Sequence, residues 1–265
     1  MFKPLFACWL ALAMIGLAAR TVTAQPEAAL AIADVTPAVD ESQPADQGAA
    51  TKNFAARLLI DIGHDYKNYF SKETALILAI GGGAAAAVHP ADDNIQEWAV
   101  EKDVNPPFAD TYGSQWLHIP VALAWWGIAS AAGSSRHADA GRDLLRAQIS
   151  VVSWTYAIKL AANRTRPNGD PHSFPSGHAS TSFATAMVLQ EHYGWKLGVP
   201  AFGIATYTAF SRIMANQHWT SDVVMGAAVG IASGRTVTLH LRDTRMSLAP
   251  LAVPGGGGVQ VSVLR

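Results

Sequence analysis

The chain has 265 residues, of which 50% are hydrophobic and 15% are charged, and this composition excludes an intrinsically disordered protein. Its 19 basic residues balance its 20 acidic residues, so the basic surface of a nucleic-acid-binding protein is excluded and no nucleic-acid partner is expected. The single cysteine, Cys8, excludes a disulfide framework and a thiolate metal site. The length allows one domain or two small ones.

The N-terminal segment has the pattern of an export signal. Lys3 precedes an apolar run from Leu5 to Ala19, and the small residues up to Ala24 are typical of a cleavage site. The run is shorter than the roughly 20 residues that cross a bilayer. We therefore interpret residues 1–24 as a signal peptide rather than an anchor helix, and expect an exported protein.

Residues 25–53, after the signal, and residues 244–265, at the end of the chain, lack the long apolar runs of the region between them. Residues 25–53 are rich in Ala, Pro, Asp, Glu and Gln without periodicity, which predicts a flexible linker. Residues 244–265 carry four consecutive glycines between β-prone runs, so a short β-hairpin and a loose tail fit equally well. The folded domain is predicted to comprise residues 54–243.

Within that domain the sequence contains helix-length apolar runs and almost no alternating pattern. Glycines and prolines separate several of the runs. This pattern predicts an all-α bundle of about six core helices. The candidate helices are residues 54–70, 74–89, 115–132, 142–163, 178–192, 197–212 and 221–238.

Two of the apolar segments are long enough to cross a bilayer. Thr74–Ala91 and Gly113–Ser135 contain no Asp, Glu, Lys or Arg over 18 and 23 residues. Charged residues interrupt the other segments sooner, as in the buried helices of a water-soluble core. The sequence leaves membrane embedding open, and we favour a buried central helix pair for these two segments.

The first of three polar clusters ends a predicted helix. Lys159 and Arg166 are two turns apart, so one helical face can carry both cations. Pro167 then forces the chain out of the helix. Taken alone, this cluster is equally typical of a solvated helix end whose cations complement the helix dipole.

The second cluster, Pro175-Ser176-Gly177-His178, begins an apolar helix. Backbone N–H groups and a hydroxyl at a helix N-terminus form an anion site, and Gly177 allows close approach to an oxyanion. The alternative is an ordinary cap by Ser176 with His178 as a bystander.

The third cluster runs from Ser211-Arg212 to His218 and Asp222. His218 and Asp222 are four positions apart, so one helical turn brings the imidazole and the carboxylate together. A carboxylate on one ring nitrogen fixes the tautomer and leaves the other nitrogen free to attack. The alternative is a His–Asp pair of purely local value at a helix end.

Together the clusters supply what phosphoryl transfer requires. Cations and N–H donors stabilise the equatorial oxygens, which carry the charge of the transition state. One histidine can be the nucleophile and the other the acid, because an unperturbed imidazole has a pKa of about 6.5.

Eleven positions of these clusters, in order, resemble the three-part signature of the type 2 phosphatidic acid phosphatase and vanadium haloperoxidase superfamily. They are Lys159-x6-Arg166-Pro167, Pro175-Ser176-Gly177-His178 and Ser211-Arg212-x5-His218-x3-Asp222. The resemblance covers roughly residues 74–238.

The resemblance implies a phosphohistidine mechanism. His218 would attack phosphorus, and Asp222 would orient His218. His178 would protonate the leaving oxygen and then activate water. The groups that would hold the phosphoryl oxygens are Lys159, Arg166, Ser176, Gly177 and Arg212. No metal is expected, and vanadate could occupy the phosphate site; Arg164 lies outside the signature and receives no role.

We expect an exported, metal-independent phosphatase on the periplasmic side, soluble or membrane-associated, that hydrolyses phosphate monoesters or pyrophosphates. The glycine-rich apolar helices and Trp125-Trp126 favour a lipid substrate. The alternatives are a soluble periplasmic acid phosphatase of broad specificity, a vanadium-dependent haloperoxidase with vanadate as cofactor, and a non-catalytic phosphate- or lipid-binding scaffold. The sequence does not fix the oligomeric state.

The remaining histidines lack metal-ligand spacing and are interpreted as surface or loop residues. They are His64, His89, His118, His137, His172, His192 and His240. His172 and Asp170 belong to the loop that should border the pocket, and Asp170 is a candidate for binding the leaving group of the substrate.

Overall fold

The structure of the protein is a computed structural model that describes residues 47–102, 104, 106–241, 245–253 and 256–264. The predicted signal peptide, residues 1–24, lies outside the described residues, as does the predicted linker up to residue 46. Both therefore stay predictions.

The described chain forms an all-α bundle, which confirms the predicted fold class. Its helices are α1 (Gln47–Asn68), α2 (Lys72–Val88), α3 (Asp92–Lys102), α4 (Ala109–Tyr112), α5 (Gln115–Ala131), α6 (Ser135–Ala162), α7 (Gly177–Tyr193), α8 (Trp195–Met214) and α9 (Thr220–Val237). Short 3-10 turns follow α2 at His89–Ala91 and α9 at Leu239–Leu241. Six long helices, α2 and α5 to α9, pack together as the body of the bundle, in agreement with the predicted number.

Two strands follow the bundle. They are β1 (Arg245–Val253) and β2 (Gly256–Leu264), and they pair antiparallel with Arg245 opposite Leu264. The sequence left a hairpin and a loose tail open for this end of the chain, and residues 245–253 and 256–264 form paired strands.

Helices α1 and α3 differ most from the sequence prediction, which also did not include the short helix α4 and began α6 at residue 142. Helix α1 begins at Gln47, inside the predicted linker, because the alanines before Asn53 favour helix. Helix α3 was not predicted, since its sequence is too polar to read as an apolar run. It buries one narrow face, and acidic residues in its first turn complement the helix dipole. The residues of that face are Asp92, Ile95, Gln96 and Ala99.

Helix α9 is the centre of the bundle, and every residue in it except Met225 is buried. Its glycines allow the backbone of α7 to approach closely. A Cβ atom at Gly226 would lie 2.6 Å from the Ser176 carbonyl oxygen, and one at Gly230 would lie 2.3 Å from the Ser180 carbonyl oxygen. No side chain fits at these distances, so main-chain contact fixes the spacing of the two helices.

The favoured interpretation of Thr74–Ala91 and Gly113–Ser135 as a buried central pair is wrong. The corresponding helices, α2 and α5, lie at the periphery, and Leu76 and Ile128 are 54% and 72% exposed. High hydropathy marks these helices, but the centre is occupied by small-residue helices whose backbones pack more closely. Within the described residues, one continuous helical stretch, Lys72–Lys102, has the length and composition of a membrane span.

A buried ionic cluster joins α1, α6 and α7 away from the polar sequence motifs. We call it the Arg146 cluster (Asp65, Asp143, Arg146 and His192). Arg146 donates from Nε to Asp65 Oδ2 at 2.8 Å and from Nη1 to Asp143 Oδ1 at 2.9 Å. His192 Nε2 lies 2.9 Å from Asp143 Oδ2. The interpretation of His192 as a surface or loop residue is therefore wrong, because its side chain is buried beside this carboxylate.

Candidate active site

The three polar clusters of the sequence meet at one end of the bundle. Lys159 lies in the last turn of α6, Gly177 begins α7, and His218 lies just before α9. These residues line a single pocket of about 420 Å³. Three other predicted site residues line the same pocket: Arg166, His178 and Arg212.

Ser176 and Asp222 lie behind the pocket wall and are fully buried. The backbone N–H of Ser176 donates to the carbonyl oxygen of Asp222 at 2.9 Å. This bond ties the start of α7 to the first turn of α9. The second and third sequence clusters are thus joined by their main chains.

His218 and Asp222 form a buried pair, with His218 Nδ1 3.5 Å from Asp222 Oδ2. Oδ2 also accepts the backbone N–H of Trp219 at 3.0 Å and the hydroxyl of Ser173. Because Nδ1 faces the carboxylate, Nε2 is the ring nitrogen that can carry the reactive lone pair.

The surroundings of this pair favour a neutral imidazole and a charged carboxylate. Burial lowers the pKa of His218 to about 4. The nearby charges of Lys159 and Arg166 also lower this pKa, whereas Asp222 raises it. Burial alone would raise the pKa of Asp222, but its hydrogen bonds with His218 and Ser173 and the charge of Arg164 hold that pKa below its usual value. The neutral imidazole is the form that can act as a nucleophile.

Arg164, which the sequence left without a role, connects the pair to α3. Its Nη1 donates to Asp222 Oδ1 at 2.8 Å and to Ser221 Oγ at 2.7 Å, while its Nη2 donates to Asp92 Oδ2 at 2.9 Å. Asp92 Oδ1 accepts the backbone N–H of Ser221 at 2.9 Å. We call this the Arg164 cluster (Asp92, Arg164, Asp222 and His218).

Two cations of the first sequence cluster face the pocket with different partners. Lys159 Nζ donates to the carbonyl oxygens of His172 at 2.6 Å and Ser173 at 3.2 Å. Burial and the charge of Arg166 lower the pKa of Lys159 to about 8. Arg166 Nη1 donates to Gln217 Oε1 at 2.9 Å, and Gln217 is a pocket residue that no motif indicated.

His178 and Arg212 meet at Asp110, a residue of the short helix α4. One carboxylate oxygen of Asp110 lies 3.2 Å from His178 Nε2 and also accepts from Arg212 Nη1. Burial and Arg212 lower the pKa of His178 to about 4, and Asp110 opposes this shift. Hydrogen bonding to Arg212 in turn lowers the pKa of Asp110.

Several buried donors around the pocket have no hydrogen-bond partner among the described residues. They are Thr155 Oγ1, Arg166 Nε, Ser176 Oγ and Arg212 Nε. Buried polar groups are rarely left unpaired, so a concentration of such donors is typical of a site that binds an oxyanion. Across the described residues, no group of His, Cys, Asp and Glu side chains is arranged to hold a metal ion.

Two expectations about residues outside the signature need correction. Asp170 does not line the pocket, and its carboxylate accepts from Asn168 Nδ2 at 2.9 Å. The loop of His172 does border the pocket, since the His172 carbonyl oxygen accepts from Lys159 Nζ. His118 is buried instead of lying on the surface or in a loop, and its Nδ1 lies 3.0 Å from Thr185 Oγ1.

Sequence reasoning missed Asp92 and Asp110 because neither belongs to a motif. Both reach the site from elements far away in the chain, and only the fold brings them to Arg164 and Arg212. For Asp92 a signal was present, since it is the first charged residue after the uncharged segment Thr74–Ala91.

Comparisons with known proteins agree with this geometry. The family model of the PAP2 superfamily matches residues 143–246, the part of the chain that holds the three sequence clusters. The crystal structure of a transmembrane PAP2-type phosphatidylglycerolphosphate phosphatase from Bacillus subtilis is similar with a TM-score of 0.51 at 19% identity. The similarity covers 67% of this chain and 98% of that one, and it supports the fold.

Two relatives of known name are similar over shorter segments. The lipid A 1-phosphatase of Porphyromonas gingivalis is 44% identical over 82 residues, which are 29% of this chain and 18% of that protein. The lipid A 4'-phosphatase of Helicobacter pylori is 33% identical over 76 residues, which are 29% of this chain and 38% of that protein. The chain thus spans less than two fifths of the length of either relative.

Proposed function

We propose that the protein is a phosphatase that hydrolyses lipid phosphate monoesters or pyrophosphates through a phosphohistidine. The observation that carries this proposal is the single pocket lined by both imidazoles, His218 and His178, and by the cations Lys159, Arg166 and Arg212. One imidazole has a buried carboxylate partner, so the two histidines can take different roles.

In the first step His218 Nε2 attacks phosphorus. The new N–P bond forms as the bond from phosphorus to the ester oxygen breaks, and the electron pair of that bond goes to the leaving oxygen. His178 donates its proton to this oxygen, so the alcohol leaves neutral. The negative charge of the bound phosphoryl group raises the pKa of His178, which makes the protonated form available.

In the second step water attacks the phosphohistidine. His178, now neutral, takes a proton from the water as its oxygen bonds to phosphorus. The N–P bond breaks, its electron pair returns to His218, and inorganic phosphate is released. Asp222 stabilises the positive charge that His218 carries while it is phosphorylated.

The phosphoryl oxygens are held by charge and by backbone donors. Lys159, Arg166 and Arg212 supply the charge, and the N–H of Gly177 at the start of α7 supplies a further donor beside the buried Ser176. The proposed reaction requires no metal, and vanadate is expected to compete for the same place.

Support for a lipid substrate comes from the surroundings of the pocket. Trp116 and Tyr156 line it and are 81% and 50% exposed, so apolar surface borders the phosphate site. The uncharged segment Thr74–Ala91 ends at Asp92, beside the active site. A membrane along α2 would therefore present lipid headgroups at the level of the pocket. The names of the two relatives agree with such a substrate.

We further propose that the protein is exported and that the pocket faces the periplasm. The support is the sequence pattern of residues 1–24 together with the apolar exposed sides of α2 and α5. Separating cells into soluble, periplasmic and membrane fractions tests this placement, and recovery in the cytoplasm would contradict it.

The test of function compares phosphate release from phosphatidate in detergent micelles with release from a small aryl phosphate. We expect faster release from the lipid and an acid-labile phosphoprotein when the reaction is quenched with alkali. Equal rates would contradict the lipid preference and favour a soluble phosphatase of broad specificity. Halide oxidation by peroxide that appears only after vanadate addition would instead identify a haloperoxidase.

A further inference from the structure

We propose that Arg164 and Asp92 are positioning residues for the nucleophile, which hold the Asp222 carboxylate where it orients His218. The inference rests on the proposed phosphatase function and deepens it. Neither residue belongs to the sequence signature, and neither lines the pocket.

The contacts of Asp222 leave its carboxylate little freedom. Oδ1 accepts from Arg164 at 2.8 Å, while Oδ2 accepts from Ser173 and from the Trp219 N–H and faces the His218 ring. Rotation about the carboxylate bond would break the contact with Arg164 together with those on Oδ2. Arg164 therefore fixes the orientation of the carboxylate relative to the imidazole.

The planar guanidinium of Arg164 is itself held by two carboxylates. Its Nη2 bonds Asp92 while its Nη1 bonds Asp222, so the guanidinium bridges two buried carboxylates. The Arg164 side chain is 22% exposed, against 3% for Asp92 and 0% for Asp222. Trp219 covers the guanidinium, with its ring centroid 5.3 Å from Cζ. A flexible ammonium could not reproduce both bonds in this plane.

Asp92 couples the guanidinium to the start of α9. Its Oδ1 accepts the backbone N–H of Ser221 at 2.9 Å, and the same carboxylate accepts the Ser221 hydroxyl. Because Ser221 lies in the first turn of α9, Asp92 satisfies a helix N-terminus from another helix. It also balances the charge of Arg164, in a region that already holds Lys159 and Arg166. Asp92 thus places Arg164 and Asp222 together.

The chain offers a matched control at its other buried Arg–carboxylate cluster. Arg146 also bonds two aspartates, Asp65 and Asp143, and Asp143 also faces a histidine. That cluster contributes no residue to the pocket. Equivalent substitutions in the two clusters therefore separate positioning of the nucleophile from general bracing of the fold.

The experiment measures kcat and KM of the full chain with Arg164→Lys, Arg164→Gln and Asp92→Asn, beside Arg146→Lys and Asp65→Asn. We expect kcat to fall about 10- to 100-fold in the first three variants while KM changes less than about twofold. Residues that orient metal-ligating side chains through hydrogen bonds have effects of this size. The two control variants are expected to melt at lower temperature and to keep the wild-type kcat. A wild-type kcat in folded Arg164→Lys and Asp92→Asn would overturn the inference.

The pH dependence adds a readout that bracing alone does not move. Loss of the Arg164 charge weakens the preference for the ionised carboxylate, so the acid limb of kcat/KM moves to higher pH in Arg164→Gln and stays near its place in Arg164→Lys. The charged and titratable groups that face the pair are Lys159, Arg164, Arg166 and Asp92.

A titration of His218 by NMR, in protein labelled with nitrogen-15 histidine, gives this shift without turnover. We expect the His218 signal to titrate at higher pH in Arg164→Gln and unchanged in Arg146→Gln. If the wild-type chain released no phosphate but the signal still shifted, the proposed function would fail while the positioning role stood. An active wild type with no shift in Arg164→Gln would overturn the positioning role alone.

Discussion

Among the described residues, two buried clusters are built from the same residue types, but only one of them reaches the pocket. The Arg146 cluster and the Arg164 cluster each combine one arginine, two aspartates and one histidine. In the first, His192 contacts its aspartate through Nε2 and no member lines the pocket. In the second, His218 contacts its aspartate through Nδ1 and also lines the pocket.

The difference shows that residue content does not decide between bracing and chemistry. In the Arg146 cluster the arginine bonds two carboxylates between three helices, so the result is rigidity. In the Arg164 cluster the same pairing restrains a carboxylate whose histidine retains Nε2 for a ligand. Access of one ring nitrogen to a cavity separates the two.

The largest expected effect comes from removing the histidine of the Arg164 cluster. His218→Ala is expected to lower kcat by about 10⁴-fold or more, because the nucleophile is lost while the cations remain. Phosphate release measures the loss, and circular dichroism serves as the control for folding. His192→Ala in the Arg146 cluster should leave kcat unchanged; wild-type turnover in His218→Ala would contradict the mechanism.

The next largest effect concerns stability. Arg146→Met is expected to lower the free energy of unfolding by about 3–5 kcal/mol, because Asp65 and Asp143 then stay buried without their cation. Denaturant unfolding of the purified chain measures the change, with the partly exposed pair Arg142 and Asp139 as the comparison. An Arg142→Met variant should change the free energy by less than about 1 kcal/mol.

Asp222→Asn tests the carboxylate within the active cluster. We expect kcat to fall about 100-fold, less than for His218→Ala, because the nucleophile remains but its tautomer is no longer fixed. Steady-state assays at several pH values measure the change. A loss as large as that of His218→Ala would mean that Asp222 does more than orient and stabilise the imidazole.

The pKa of Lys159 predicts a pH effect on substrate binding. Since burial and Arg166 lower this pKa to about 8, the ammonium loses its proton as the pH rises above that value. KM is therefore expected to rise about 3- to 10-fold between pH 7 and 9. Lys159→Arg should remove this rise, because a guanidinium stays charged. A KM that rises equally in both proteins would assign the effect to another group.

The smallest expected effect involves Asp110, whose side chain is 81% exposed. Its carboxylate raises the pKa of His178, so Asp110→Asn lowers that pKa and deprotonates the general acid at lower pH. We expect the alkaline limb of kcat/KM to move down by about half a pH unit. Asp139→Asn, which removes the same charge far from the pocket, should not move it.

The sequence was sufficient to predict which local motifs meet in the folded chain. The spacing of Lys159 and Arg166, the turn before His178 and the step from His218 to Asp222 are each short enough to be read along the chain. The structure brings all five residues to one end of the bundle, as the fold of six core helices required.

The parts that failed depend on contacts between distant elements. Asp92 meets Arg164 across 72 positions of the chain, and Asp110 meets Arg212 across 102. No local pattern specifies such pairs. The placement of α2 and α5 failed for a different reason, since hydropathy reports apolar content and not which neighbour, protein or lipid, covers it.

The contact between α7 and α9 has a consequence for how the protein tolerates change. Gly230 lies roughly 12 Å along the helix from Asp222, yet its missing side chain sets how closely α7, which carries His178, packs on α9. The distance between the two halves of the proposed active site is thus set by contacts between backbone atoms rather than by deformable side chains. A single methyl group added at Gly230 would push the two helices apart, so the restraint on sequence around this site extends beyond the residues that line the pocket.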